Sequence, residues 1–257
     1  MTLKSGIDLS HIDSEFAPGD DLYRYLNGGW LKSHQIPADR ASDGVAYALH
    51  DEAEAQVREI IEGAHRNKDG GTEAQKIGDL YLSFMDTEAI EKLGTSPLSA
   101  DLALIDAISS KSDFISTMSR LEIKGVGGIF GAAIYTDAMD SETNIIYLGQ
   151  GGLSLPDESY YREEQYAPIR EAFLEHVAKM FALAGISASA ADVASILALE
   201  TSIAACHWDQ VRDRDATLTY NKHSRAELEK LAPAIDFPLW IKSGQVPTKA
   251  FESVIVR

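Results

Sequence analysis

The chain has 257 residues, and 23 Lys and Arg against 40 Asp and Glu leave a formal charge of −17. With 45% apolar and 25% charged residues, it has the composition of a globular chain able to bury a core, which excludes disorder as its main state. So acidic a surface repels phosphate backbones and anionic bilayers, and no basic stripe offsets it, so neither nucleic acid nor membrane is an expected partner.

Helical periodicity dominates from the N-terminus onward. Residues 21–33 read as a short helix that carries Gly28 and Gly29 just before Trp30. Each glycine costs ~1 kcal/mol relative to alanine inside a helix, so the expected reason for keeping both is a close approach of other backbone, with Trp30 filling the adjacent space. Val45, Leu49, Ala53, Val57, Ile60, Ile61 and Ala64 mark a second helix, closed by the polar stretch Asn67–Gly71. Thr72 and Gln75 have capping-box spacing, and Ile77, Leu80, Tyr81, Phe84 and Met85 continue as one amphipathic helix to an end near Gly94. Shorter helical patterns follow at 99–109 and 112–123.

The glycine-rich run Gly125–Gly131 fails as a dinucleotide loop, because it follows a helix and opens a strand, the reverse of the required order. Residues 128–137 and 143–149 are apolar, β-branched runs joined by a polar link, and read as one β-ribbon. Ile169, Phe173, Val177, Met180, Phe181 and Ala184 mark a long helix ending at Gly185. Ser189 and Asp192 open another, carried by Val193, Ile196, Leu197, Ile203 and Ala204, and a last pattern covers 224–232. No repeat and no Pro/Gly/Ser-rich linker divides the chain, which reads as one mainly α unit with a single inserted β-ribbon. It stops on the β-prone run Phe251–Val256 and Arg257; such a run is normally paired or buried, so the end reads as cut.

The chemistry-bearing residues form no recognisable active site. Seven histidines occur, none four residues from another, so the His-Glu-x-x-His zinc helix is absent. The single cysteine, Cys206, excludes a disulfide framework within the chain and a multi-cysteine zinc site. Cys206-His207-Trp208-Asp209 is the nearest approach to a ligand cluster, yet adjacent residues on a helix diverge, and a helix end packing Trp208 is the better reading. No Gly-x-Ser-x-Gly motif occurs. No catalytic, cofactor-binding or metal-ligating residue is therefore assigned. Glu200, on the apolar face between Ile196 and Ile203, needs a partner if buried, and Arg212 or Arg214 is expected to supply it. The N-terminus lacks an apolar signal core and no apolar run approaches ~20 residues, which makes the cytosol the default compartment, with export lacking such a signal as the alternative.

Five motifs in order carry a family resemblance. They are Asp21-Leu-Tyr-Arg-Tyr25-Leu-Asn-Gly28-Gly29-Trp30 with Ile36-Pro37-Ala-Asp-Arg40; Gln150-Gly-Gly-Leu-Ser-Leu-Pro156-Asp157 with Tyr160-Tyr161; Leu199-Glu200 with Ile203-Ala204; Arg214-Asp215; and Tyr220-Asn221-Lys222. Together they resemble the N-terminal part of the neprilysin-like zinc metallopeptidases, of the bacterial endopeptidase branch, and Ser5–Asp13 is similar to the soluble mycobacterial members. The resemblance implies a mostly helical, two-lobed enzyme more than twice this length, enclosing a cavity in which peptides are cleaved. Its zinc-binding helix, downstream Glu ligand and transition-state His would all lie in the C-terminal part. Zinc is then a cofactor of the complete enzyme and not of this chain, and the implied partners are the catalytic lobe and peptide substrates.

On the same resemblance, residues 1–50 form an N-terminal strap and first helix facing the catalytic lobe, and 51–257 form a helical lid lobe that is incomplete at its C-terminus. Eukaryotic members place a substrate-carboxylate arginine in the strap; the aligned residue here is Ser42, with Arg40 two positions earlier. Arg40, Ser42 and His50 are the cleft candidates. Separation from the catalytic lobe should leave apolar surface exposed near residues 20–50 and at Phe251–Val256. The competing function class is a free-standing helical binding module without enzymatic activity.

Overall fold

The computed structural model of the chain describes residues 8–66 and 72–257; Ser5–Ile7 of the opening motif and the polar stretch 67–71 lie outside them. Two compact units are formed, Met1–Glu91 and Lys92–Arg257, where the sequence reads as one. The division falls inside a helix and not in a Gly/Ser-rich linker, so composition carries no trace of it.

The first unit is helical: α1 (Leu22–Ser33), α2 (Val45–Arg66), α3 (Glu73–Met85) and the start of α4 (Thr87–Leu93), with α2 packed along α3. Asp21 caps α1 by accepting the Arg24 N–H at 2.9 Å, and Thr72 caps α3 through the Gln75 N–H at 3.2 Å. The single helix expected from Thr72 to Gly94 is broken at Asp86, whose carboxylate accepts the Ala89 N–H at 3.0 Å and so starts α4 afresh. The turn before α1 crosses it at the two glycines. A Cβ on Gly29 would lie 2.6 Å from the Ser10 carbonyl oxygen, one on Gly28 would strike the Asp13 side chain, and the Tyr25 carbonyl accepts the Asp13 N–H at 2.8 Å. Trp30 stacks on the His34 ring, centroids 4.3 Å apart.

The second unit contains α5 (Ser99–Asp106), α6 (Lys111–Glu122), β1 (Phe130–Asp137), β2 (Asp140–Gln150), α7 (Ser159–Arg162), α8 (Ala167–Leu183), α9 (Ala190–Ala204), α10 (Gln210–Asp213), β3 (Asn221–Ser224), α11 (Arg225–Leu231), α12 (Phe237–Ser243) and β4 (Ser253–Val256). Reciprocal capping boxes open α9 (Ser189 with Asp192) and α11 (Ser224 with Glu227). The expected ribbon is the antiparallel pair β1–β2, in register from Phe130↔Gln150 to Thr136↔Asn144. It belongs to a larger sheet of order β1-β2-β4-β3, in which β4 runs parallel to β2 and antiparallel to β3. The mainly α architecture with a small inserted sheet thus holds, with the ribbon extended to four strands.

The end of the terminal apolar run, β4, is one of the two inner strands of that sheet. Phe251, Val254 and Ile255 are each 0% exposed, so the expectation that Phe251–Val256 would be bared is corrected: β2, β3 and α12 cover it. Around it pack Ile115 and Met118 of α6, Ile146 and Leu148 of β2, and Phe237, Trp240 and Ile241 of α12. Near residues 20–50 apolar side chains are exposed as expected, Val45 at 76% and Leu49 at 62% among them.

Candidate functional site

Within the first unit, the segment between α1 and α2 is fastened by a chain of polar contacts. His34 Nε2 lies 2.8 Å from Asp43 Oδ2, Arg40 donates to Asp51 Oδ1 at 2.7 Å with Asp43 3.8 Å away, and the guanidinium sits 5.4 Å from the centroid of the Tyr47 ring. The Gly44 N–H and then His34 hold the Asp43 carboxyl below its usual range, as Arg40 does for Asp51. Ser42 Oγ is 3.0 Å from the Tyr47 hydroxyl. Arg40 and Ser42 therefore converge on Tyr47, whereas His50 stands apart, 3.2 Å from Glu54 one helical turn on. Lys32 bridges Asp13 at 2.9 Å and Glu15 at 2.7 Å, which ties the turn at Gly28 and Gly29 to the far end of α1.

Two polar nodes organise the second unit. The first is built on Glu200, buried on α9. Its carboxylate accepts the Ser154 N–H at 3.1 Å, the Ser154 hydroxyl at 2.7 Å and the Tyr161 hydroxyl at 2.5 Å; the Tyr161 oxygen in turn accepts the Leu155 N–H at 2.9 Å. Burial, then the bond to Glu200, pushes the Tyr161 phenol up to about 12, so it stays a proton donor. The expected arginine partner is corrected: Arg212 stacks over Trp208 at 3.9 Å, and among the described residues Arg214 donates to Gln210, at 3.5 Å, and not to Glu200. A neutral phenol and a hydroxyl serve Glu200 better, because they bring donors to a buried carboxylate without desolvating a second charge.

Around this node the Gln150–Asp157 motif closes on the segment after α9. The Gln150 side chain exchanges two hydrogen bonds with the Trp208 backbone, at 2.9 and 3.1 Å, and His207 Nε2 meets the Gly151 carbonyl at 3.0 Å. Asp157 accepts from Ser159 and Gln210, Tyr160 stacks on Tyr166 at 4.0 Å, and Pro156 and Arg214 line a polar cavity of 380 Å³. Asp215 caps its own turn through Thr217.

The second node is Asp137, at the end of β1 and 1% exposed. It takes the Lys222 ammonium at 2.7 Å, the Met139 N–H at 3.0 Å and the Tyr220 hydroxyl at 2.8 Å, which hold its carboxyl down to about 2. Asn221 between them donates to the Val256 carbonyl at 3.0 Å. Sequence reading marked Tyr220, Asn221 and Lys222 and held Ser154 inside a motif without a role of its own, but passed over Asp137; an aspartate at a strand end looks like a turn residue until the fold brings partners to it.

Among the described residues no group of three or more His, Cys, Asp and Glu could hold a metal ion. These residues therefore do not fit a zinc site, and both nodes are positioning devices that pin the loops between helices and sheet.

Comparison with known proteins accords with this picture. Residues 18–257 match the profile of Peptidase family M13. Mouse endothelin-converting enzyme-like 1 is 26% identical over 247 residues, which cover 89% of this chain and 31% of that protein. Human endothelin-converting enzyme 1 is 26% identical over 259 residues, with 95% and 33% covered. Among solved structures, the Mycobacterium tuberculosis zinc metalloprotease ZMP1 in complex with inhibitor superposes with a TM-score of 0.88 at 43% identity, covering 98% of this chain and 39% of that one. PEPO from Lactobacillus rhamnosis superposes at 0.73 with 23% identity, covering 93% and 38%, and so shares the fold. The chain spans about a third of the length of the curated relatives it matches. With a profile match running from Pro18 to the last residue, the chain belongs to peptidase family M13, of which it carries the N-terminal domain.

Proposed function

We propose that this chain is the non-catalytic N-terminal portion of a zinc metalloendopeptidase that cleaves peptides in an enclosed cavity. The observation that carries the reading is the family match across nearly the whole chain, which reaches only 39% of the mycobacterial metalloprotease. In the complete enzyme zinc would polarise the scissile carbonyl and activate water. This chain's own contribution is steric: a helical lobe that admits short peptides and excludes folded proteins.

In this reading residues 1–50 are the strap and first helix that face the catalytic lobe and 51–257 are the lid lobe, a functional division that crosses the compact unit ending at Glu91. The exposed apolar side chains Val45 and Leu49 on α2 support a lobe partner for that segment. Arg40, Ser42 and His50 are proposed to border the cleft. Arg40 is already engaged by Asp51 and Asp43, so its part is to latch the strap and not to meet a substrate carboxylate. No helix among the described residues is long and apolar enough to cross a membrane, and the cytosol is the proposed compartment.

The test is co-expression of this chain with the portion of the mycobacterial metalloprotease that it does not span. A complex that binds zinc and cleaves short peptides, with neither part active alone, is the expected result. Failure of any complex to form, with both parts shown to be folded, would remove the reading.

A further inference from the structure

Glu122 ends α6 and, among the described residues, is the one ionisable side chain in the walls of a 420 Å³ cavity, where it meets Phe130, Ile146, Trp240 and Val246. Its Oε2 accepts the Trp240 indole N–H at 2.7 Å, while its Oε1 is buried with no hydrogen-bond partner. An ionised carboxylate with one oxygen sealed in this way is costly, and the neutral acid, which leaves a hydroxyl and not a charge unpaired, costs less. Burial, opposed in part by the indole bond, accordingly pushes this carboxyl up.

The seal over Oε1 is the loop between α6 and β1, residues 123–129. Gly128 lies directly on that oxygen, for a Cβ there would strike Glu122 Oε1 and the Met118 side chain, so the loop can shut only with glycine at this position. Gly125, at φ +86°, turns the chain back toward it. The loop is held by short-range bonds alone: the Lys124 and Val126 N–H groups both donate to the Leu121 carbonyl, at 2.9 and 3.1 Å, and the Gly125 N–H to the Glu122 carbonyl at 2.9 Å. Ile123 is 58% exposed and Val126 51%, and a segment with so little buried opens at low cost. Of the charges nearest in sequence, Lys124 is paired with Asp101 and Arg120 is exposed, so neither compensates Glu122.

We propose that residues 123–129 form a proton-controlled lid over this cavity, which the neutral acid of Glu122 keeps shut and its carboxylate opens by drawing Oε1 into water. The proton acts as a ligand with higher affinity for the shut state, and it shifts the two states by that difference. Closure raises the carboxyl above its ordinary 4.5, so the group's support for the shut state is complete below that pH and is lost as the pH rises through the raised value. This is opposite in sign to Asp137, whose support is lost as the pH falls. The lid lies wholly within the second unit and is independent of the proposed function.

Two measurements on the purified chain test this. Hydrogen exchange of residues 123–129, corrected for the intrinsic rate, reports opening, and NMR of the Glu122 carboxyl carbon reports its protonation midpoint. Between about pH 4 and 7 the protection of the loop should fall by about threefold or more, while that of residues 115–121 in α6 stays level. Glu122→Gln, which cannot ionise, should keep the loop protected throughout. Gly128→Ala, whose methyl would fall on Oε1, should leave the loop unprotected at every pH and return the Glu122 midpoint to the ordinary carboxylate range. Loop exchange in the parent that ignores pH, or the same pH dependence in Glu122→Gln, overturns the lid. A Gly128→Ala chain whose Glu122 midpoint stays as high as the parent's also overturns it, and that comparison decides alone where Glu122→Gln does not fold.

Discussion

Glu200 and Asp137 show how a buried carboxylate is kept in a chain of such acidity. Around Glu200 the donors are neutral, and the Tyr161 hydroxyl serves two clients, the carboxylate and the Leu155 N–H. Tyr161→Phe should therefore cost about 2 kcal/mol, the worth of a hydrogen bond to a charged group whose loss leaves the acceptor buried. Arg212→Ala and Arg214→Ala should stay within about 0.5 kcal/mol of the parent, as exposed substitutions do. Urea unfolding of the three variants decides whether the phenol or an arginine supports Glu200. Asp137 has the opposite solution, an ion pair with Lys222. Its folded-state pKa of about 2 lies below the ordinary 3.8, so the node stabilises fully above about pH 4 and is lost as the pH falls toward 2. Asp137→Asn should be less stable than the parent at neutral pH, and the difference should shrink across that acid window in melts taken at stepped pH.

At the scale of elements, short-range chemistry was legible and long-range pairing was not. The capping boxes of α9 and α11 join residues three apart, so spacing alone locates them. The two glycines of α1 were legible as a crossing point, but Ser10 and Asp13 as the crossing partners were not. Gly29→Ala should lower stability by about 1–3 kcal/mol, the usual cost of forcing extra atoms into a packed contact, because the Ser10 carbonyl occupies the space a methyl needs. Helix α12 escaped notice because its seven residues, opened by Asp236 and Pro238, are too few to display a period. The terminal run was legible as a strand wanting partners, and it finds them in β2 and β3. Phe251→Ala should accordingly cost about 3–5 kcal/mol, the penalty of a large void in the core, and calorimetry of the purified variant would show it as a lowered Tm.

At the scale of the molecule, the absence of a three-ligand cluster among the described residues has a direct consequence. The purified chain should hold no stoichiometric zinc by metal analysis and should not cleave peptides in a chelator-sensitive way, since zinc catalysis needs three convergent protein ligands and an open position. One tightly held zinc per chain would contradict this. The family motifs are spread over both compact units, and none of them is itself a catalytic motif. In the second unit their residues meet at Glu200, Trp208 and Asp137, where they join loops to helices and sheet.

The sequence by itself determined most of the longer helices, the caps at Thr72 and Ser189, the β1–β2 ribbon and the family, because each rests on residues close together in the chain or on motifs in a fixed order. Only the tertiary structure decided the partners: Tyr161 for Glu200 across 39 residues, Lys222 for Asp137 across 85, and β4 between β2 and β3. Spacing and periodicity report the local environment of a residue, whereas the choice of a distant partner depends on which of several chemically adequate donors the packed core carries to the acceptor.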